Sequence, residues 1–97
     1  MEGWLCHVTT ADALGPAGGV LRAEPFLHCC TQAQLPFVLD RWFAGRTGLV
    51  VVRFDPGAVD GRIVWERSEA GQDPFPHVYG QVRLAGAAAT PLDGPNG

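Results

Sequence analysis

Positive charge is scarce and scattered in this chain of 97 residues. All seven basic residues are arginines spread along the sequence, and the formal net charge is -3. Because binding to a nucleic-acid backbone needs a basic stripe, this composition excludes nucleic acid as a general partner. The sequence also lacks a glycine-rich phosphate loop and an arginine cluster, which disfavours tight binding of a pyrophosphate.

Long apolar runs and a disulfide framework are missing as well. The longest apolar stretch is far too short to cross a bilayer, and residues 1–4 lack the basic start and apolar run of an export signal. Cys6, Cys29 and Cys30 are odd in number and two of them are adjacent, so we expect reduced thiols. These features predict a soluble cytoplasmic protein that makes no membrane contact.

The length of the chain fits one domain, because a chain of this size has no material for a second core. Its 13 glycines and 8 prolines divide it into short elements. We predict a single α+β domain over residues 1–92 and a flexible tail over residues 93–97. Exposed strand edges in such a small sheet fit either a monomer or a homodimer.

One amphipathic helix is predicted in the middle of the chain. It begins near Leu35, after an N-cap at Thr31 and with Pro36 in the first turn. Apolar residues recur at intervals of three and four, so they form one face that packs on a sheet. We expect this whole face, including its two aromatic residues, to lie in the core. The face consists of Leu35, Val38, Leu39, Trp42 and Phe43.

Several short strands are predicted from alternating or β-rich segments. The Leu-Val-Val-Val run reads as a central strand that is buried on both faces. Alternation places every second side chain of a strand on one face. The predicted strands span residues 4–9, 26–30, 48–54, 62–66 and 78–84. The predicted faces that carry histidine are His7 with Thr9, and Phe26 with His28 and Cys30.

The three histidines all lie in short apolar segments with strand character: His7, His28 and His77. Imidazole titrates near neutral pH and can donate, accept or carry a proton, so histidines gathered on a sheet make a chemically usable cluster. The structural alternative is that His7 and His28 are half-buried residues that bond across the sheet. His77 would then hold its own loop behind Pro76.

Five segments of the chain are similar to the bacterial family known as domain of unknown function 952. Members of that family show a Tyr-His-Ile-Thr strand, a Gly-Phe-Ile-His-Cys-Ser strand, a Trp-Glu pair and a Phe-Pro-His-Leu-Tyr-Gly segment. This chain departs from that pattern at Pro25 and Cys30. The similar segments, in the same order, are residues 4–9, 25–31, 42–45, 64–66 and 75–80.

That family resembles the ADP-ribosyltransferase fold, a small split β-structure that holds NAD in a cleft in its active members. The resemblance implies NAD or a related nucleotide as substrate and chemistry at a glycosidic carbon. Glu66 would hold a ribose hydroxyl and stabilise positive charge at the anomeric carbon. The candidate catalytic residues are His7, His28, Glu66 and His77. The candidate ligand-binding residues are Thr9, Phe26, Cys30, Trp65 and Tyr79.

Two other classes of function stay open beside the nucleotide enzyme, which we favour. One is an acid/base enzyme of cyclase or isomerase type that acts on a non-nucleotide metabolite. The other is a non-catalytic module that binds a small molecule or a protein. Glu66 also has a structural alternative, since it follows Trp65 at a strand end and can pair with Arg62 or Arg67.

The cysteines suggest a further chemistry that the strand pattern disfavours. Alternation points Cys6 away from His7 and Cys29 away from Cys30, so a four-ligand zinc site is not expected. No Cys-x-x-Cys or His-Glu-x-x-His motif is present. Cys30 would share a face with His28, which makes a cysteine nucleophile conceivable, but no group that would orient the histidine is evident.

Overall fold

The computed structural model describes residues 2–15, 18–67 and 72–92. They form two antiparallel sheets with two helices of 4 and 8 residues, an α+β arrangement. In this described part of the chain, no helix is long and apolar enough to cross a membrane. The elements are β1 (Leu5–Thr10), α1 (Ala11–Leu14), β2 (Val20–Leu21), β3 (Leu27–His28), β4 (Cys30–Thr31), α2 (Leu35–Trp42), β5 (Leu49–Phe54), a short 3-10 turn (Pro56–Ala58), β6 (Val59–Glu66), β7 (Phe75–Arg83) and β8 (Ala88–Pro91).

The two sheets divide the strands between them. The first sheet has the order β4-β1-β5-β8, with each neighbouring pair antiparallel. In the second sheet β7 lies at the centre, β6 pairs along one side of it, and β2 and β3 pair with its other side. The strand β7 therefore sets the register of the other three strands of the second sheet.

Two apolar clusters fill the space on either side of β5. Val50, Val52 and Phe54 join the cluster that lies between the sheets, while Leu49 and Val51 join the cluster under α2. The two sets lie in different clusters because successive side chains of a strand point to opposite faces, and both sets are buried. The prediction of a central strand buried on both faces is confirmed.

The helix α2 begins with a reciprocal pair of hydrogen bonds. Thr31 Oγ1 accepts from the backbone N–H of Gln34 at 3.1 Å, and Gln34 Oε1 accepts from the backbone N–H of Thr31 at 3.0 Å. Helical conformation starts at Leu35, with Gln34 as the cap residue and Pro36 in the first turn, where its missing N–H costs nothing. The predicted start at Leu35 is confirmed, but the predicted N-cap at Thr31 was wrong, because a turn over residues 32–34 separates Thr31 from the helix.

Trp42 is not a core residue, so that prediction was wrong. Leu35 is buried and Val38, Leu39 and Phe43 pack against the cluster under the helix, but Trp42 is 47% exposed. The helix ends at Trp42, and the indole leaves the buried stripe to lie edge-on to Phe75, with ring centroids 6.0 Å apart.

The predicted strand over residues 26–30 is in fact two strands in two sheets. The chain breaks at Cys29, whose backbone N–H donates to the Pro76 carbonyl at 3.1 Å, and β4 then pairs with β1 instead of β7. The alternation survives the break, because Leu27 and Cys29 both lie in the cluster between the sheets. This switch of sheets brings β1 and β7 to the same cavity.

The C-terminal part of the chain contains a strand that composition did not indicate. Residues 88–91 pair with β5 as β8, and the Leu92 backbone N–H donates to the Leu49 carbonyl at 2.9 Å. Alanine-rich sequence has little strand preference, so this strand forms because the edge of β5 offers partners. The predicted flexible tail over residues 93–97 lies outside the described residues.

Candidate functional site

The fold brings the three histidines together where the two sheets meet. His28 on β3 is the direct cross-strand partner of His77 on β7, and their ring centroids lie 5.0 Å apart. His7 on β1 donates from Nδ1 to the backbone carbonyl of His28 at 2.6 Å. This bond assigns His7 the tautomer that carries its proton on Nδ1, so Nε2 is the acceptor nitrogen.

Glu66 binds two side chains of the neighbouring strand. Its Oε1 accepts from His77 Nδ1 at 2.8 Å and from the Tyr79 hydroxyl at 2.8 Å. The register of β6 on β7 explains this, because Glu66 pairs with Phe75 and alternation then sends Glu66, Phe75, His77 and Tyr79 to one face. The alternative partner named for Glu66, Arg62 or Arg67, is not the one that it binds, since its ion pair is with His77.

Phe26 packs over this polar group from the end of β3. Its ring is stacked on His77 with centroids 4.2 Å apart, and it also contacts the rings of His28 at 4.7 Å and Tyr79 at 5.0 Å. An apolar ring over one side of an imidazole–carboxylate pair limits access of water to that pair. His28 in front of it is exposed, whereas His77 is buried.

A cavity of about 460 Å³ opens beside these histidines, and we call it the histidine cavity. Its walls come from β1, from the β3–β4 segment, from α2 and from the start of β7. Val38, Trp42, Phe43 and Phe75 were not predicted to line a site, although Phe75 alternates with His77 and Tyr79 in the sequence. The lining residues are Cys6, His7, Val8, His28, Cys29, Cys30, Val38, Trp42, Phe43, Phe75 and His77.

The surroundings of the titratable groups favour neutral rings at His7 and His28 and an ionised carboxylate at Glu66. Burial lowers the pKa of His7, and burial with the electrostatic effect of His77 lowers the pKa of His28, so both rings favour the neutral form. Hydrogen bonds from His77 and Tyr79 lower the pKa of Glu66, so its carboxylate is ionised. The bond to Glu66 raises the pKa of Tyr79.

The lowered pKa of His7 predicts a loss of stability in mild acid. Below about 6.5 the unfolded chain protonates His7 while the folded chain does not, so the free energy of unfolding falls as pH falls. Urea unfolding of wild type and of His7→Asn between about pH 7.5 and pH 5 measures this, because the difference between the two curves isolates His7. A wild-type stability that rises on acidification, relative to His7→Asn, would contradict the prediction.

Two predicted site residues lie away from the cluster. Thr9 pairs with Val50 inside the first sheet and does not line the histidine cavity in the described structure. Trp65 is 51% exposed and lies on the opposite face of β6 from Glu66, where it lines a different cavity of about 480 Å³ together with Trp4. Strand alternation predicts that separation.

Cys30 lines the histidine cavity, but its surroundings do not suit a nucleophile. The neighbouring Cys6 thiol together with burial raises the pKa of Cys30. A raised pKa disfavours the thiolate that a nucleophile requires. Among the described residues, no three histidine, cysteine or acidic side chains are grouped to hold a metal ion.

Comparisons with known proteins assign the family and the fold. Protein CC0527 from Caulobacter crescentus has a solved structure with a TM-score of 0.76, at 19% identity over 93% of this chain and 86% of that chain. A double mutant of CC0527 gives a TM-score of 0.71 at 20% identity, over 93% of this chain and 88% of that chain. No curated protein matches the chain. The profile described as "Protein of unknown function (DUF952)" matches residues 7–90, so the chain belongs to that family.

Proposed function

We propose that this protein is an enzyme that performs acid/base chemistry on a small uncharged metabolite bound in the histidine cavity. One observation carries the proposal: His77 donates from Nδ1 to Glu66 at 2.8 Å while its ring lines the cavity. A carboxylate that holds Nδ1–H leaves Nε2 free to accept a proton and stabilises the imidazolium that forms. His77 is the general base, and Glu66 positions it.

His28 supplies the second polar group. Its ring lies edge-on to His77 at 5.0 Å, and its lowered pKa keeps it neutral, so one nitrogen donates and the other accepts a hydrogen bond. A substrate in the cavity that both rings line gives a proton to His77 and is held at a carbonyl or hydroxyl by His28. Removal of a proton at one atom and its return at another is the step that an isomerase or a cyclase needs.

The walls of the cavity determine the class of substrate. The described residues that line it include no arginine, lysine, aspartate or glutamate, and most of them are apolar or aromatic. A charged group of a ligand would find no partner of opposite charge there. Burial of an unpaired ion costs on the order of several kcal/mol. The substrate is therefore uncharged, apolar over most of its surface, and carries hydrogen-bonding groups at the histidine end.

The second candidate is an enzyme of ADP-ribosyltransferase-like fold that acts on NAD or a related nucleotide at a glycosidic carbon. Two features outside the cavity support it. The Glu66 side chain is 37% exposed and can hold a ribose hydroxyl, and the Arg62 guanidinium lies 5.5 Å from the centre of the Tyr79 ring on the same face. Arg62 would then offer a partner to a phosphate.

Ligand binding separates these candidates, with Trp42 as the reporter residue. We expect small uncharged aromatic or cyclic metabolites to bind wild type, and Trp42→Ala to weaken that binding about tenfold because the indole wall is lost. Thermal shift and calorimetric titration measure both. Trp65→Ala is the matched control, since Trp65 has similar exposure but lines the other cavity.

The same titrations include NAD, ADP-ribose and nicotinamide. Binding of ADP-ribose without binding of the uncharged panel would overturn the first candidate in favour of the second. Binding of an uncharged metabolite that is never converted, in wild type at any pH, would identify a non-catalytic binding module and would contradict both. Equal weakening in Trp42→Ala and Trp65→Ala would show that the ligand does not occupy the histidine cavity.

A further inference from the structure

Cys6 and Cys30 face each other across the first sheet, in a row that also contains Arg53. Cys6 is the cross-strand partner of Cys30 on β4 and of Arg53 on β5, so the three side chains project from the same face. Each thiol shifts the pKa of the other, and both cysteines are free thiols. Directly paired residues of antiparallel strands have Cα atoms about 4.5 to 5.5 Å apart, which lies within the range that a disulfide spans.

From this juxtaposition we propose that Cys6 and Cys30 are a redox-active dithiol, which a small hydroperoxide that enters the histidine cavity oxidises to a cross-strand disulfide. The site is new relative to the acid/base chemistry, because neither thiol acts in it. Both cysteines line the cavity, although Cys6 is 0% and Cys30 is 2% exposed. These exposures exclude a protein thiol as the oxidant, and the cavity wall is the side from which a small oxidant would approach the sulfurs.

The position of Arg53 favours Cys6 as the sulfur that reacts first, because Arg53 is a direct cross-strand partner of Cys6. The neighbouring Cys30 thiol lowers the pKa of Cys6, the Arg53 guanidinium adds to the effect, and burial opposes it. Cys30 is the thiol that retains its proton in the proposal, because the neighbouring Cys6 and burial raise its pKa. A thiolate stabilised by a neighbouring thiol and a cation is the arrangement that favours nucleophilic attack.

The reaction takes two steps. The Cys6 thiolate attacks one oxygen of the hydroperoxide, so an S–O bond forms, the O–O bond breaks, and the departing oxygen leaves as water or an alcohol after protonation. The Cys30 sulfur then attacks the Cys6 sulfur, an S–S bond forms, the S–O bond breaks, and the Cys30 proton leaves with the hydroxide as water. Both sulfurs are oxidised and the peroxide is reduced.

The disulfide would fix the weakest edge of the first sheet. The strand β4 has two residues and is held to β1 by two register pairs, and it directly follows the segment that carries His28. A covalent link there closes a loop of residues 6–30 in the unfolded chain and so raises the stability of the oxidised protein. It also fixes the cavity wall between His7 and His28.

The test counts free thiols in the full chain after treatment with hydrogen peroxide. The reduced protein is treated, unfolded, alkylated and weighed by mass spectrometry. We expect the number of alkylated cysteines to fall from three to one, with Cys29 as the remaining thiol, and to return to three with dithiothreitol. The melting temperature of the oxidised protein should rise by about 10 °C.

Variants at each cysteine make the assignment specific. Cys29→Ala is the matched control and should still form the bond, because Cys29 lies in the other cluster and its thiol donates to the Leu27 carbonyl. Cys6→Ala and Cys30→Ala should each abolish it, and circular dichroism confirms that the variants are folded. If one of these two does not fold, the other carries the test.

Three results would overturn the proposal. The first is that three thiols stay free at a peroxide concentration that oxidises the urea-unfolded chain. The second is a disulfide that includes Cys29, and the third is a bond between two copies of the chain. None of these results bears on the acid/base proposal, which is tested with the reduced protein.

Discussion

Gly61→Ala is expected to lower the free energy of unfolding by about 3 to 5 kcal/mol, through backbone strain together with a steric clash. Gly61 and Gly80 are cross-strand partners on β6 and β7, with φ of +133° and +144°. A Cβ at Gly61 would lie 2.2 Å from the Tyr79 carbonyl oxygen and 3.0 Å from the Gly80 Cα. Backbone atoms of a central strand cannot yield as a flexible side chain can, so the two strands would separate.

Urea unfolding of Gly61→Ala and of Gly86→Ala measures this effect with a matched control. Gly86 also has a positive φ, +89°, but a Cβ there would meet nothing within 4 Å. Gly86→Ala therefore reports dihedral strain alone, at about 1 to 2 kcal/mol. Equal losses in the two variants would show that the close approach of β6 and β7 contributes nothing.

The same variant should also disturb the candidate site, because β6 and β7 carry its carboxylate and its buried histidine. Glu66 reaches His77 and Tyr79 only when β6 keeps its register on β7. A slip of one residue would send Glu66 to the opposite face. We therefore regard the pair of glycines as a structural requirement of the site, although neither touches the cavity.

Some of the site could be predicted from local sequence, because its histidines lie on short strands. The alternation of His28 with Phe26 and Cys30 is a local property, and the structure preserves it. The bond between Glu66 and His77 is not local. It depends on the register of two strands joined by a polar segment, and register is set by long-range packing that periodicity does not report.

The prediction that Trp42 lies in the core was wrong for a similar reason. Helical spacing places Trp42 on the apolar face of α2, but it does not tell where the underlying sheet ends. The ring extends past the buried stripe and meets Phe37 and Phe75, with centroids 5.7 and 6.0 Å away. The predicted last strand begins at residue 78, whereas β7 begins at Phe75. Pro76 cannot donate to a strand ladder, so the sequence around it does not favour a strand.

The acid/base proposal predicts that His77→Asn lowers kcat by a factor of about 10² to 10⁴, the usual contribution of a general base. Asparagine keeps a hydrogen-bond donor for Glu66 and a similar shape, but it cannot take up a proton. Steady-state kinetics on the first metabolite found by the binding panel measures this. The variant should bind that metabolite as wild type does, because the loss affects proton transfer more than binding.

Glu66→Gln and Tyr79→Phe separate positioning from the chemistry itself. Glutamine at 66 leaves His77 without the carboxylate that stabilises its imidazolium, so kcat should fall and the acidic limb of its pH profile should move. Tyr79→Phe keeps the ring against Phe26 and removes one of the two bonds to Glu66, so it should have a smaller effect. Proton NMR of wild type should show a strongly hydrogen-bonded Nδ1–H of His77 that moves upfield in Glu66→Gln, because a neutral amide oxygen is a weaker acceptor than a carboxylate. A Glu66→Gln variant with unchanged kcat and pH profile would show that the carboxylate does not act through His77.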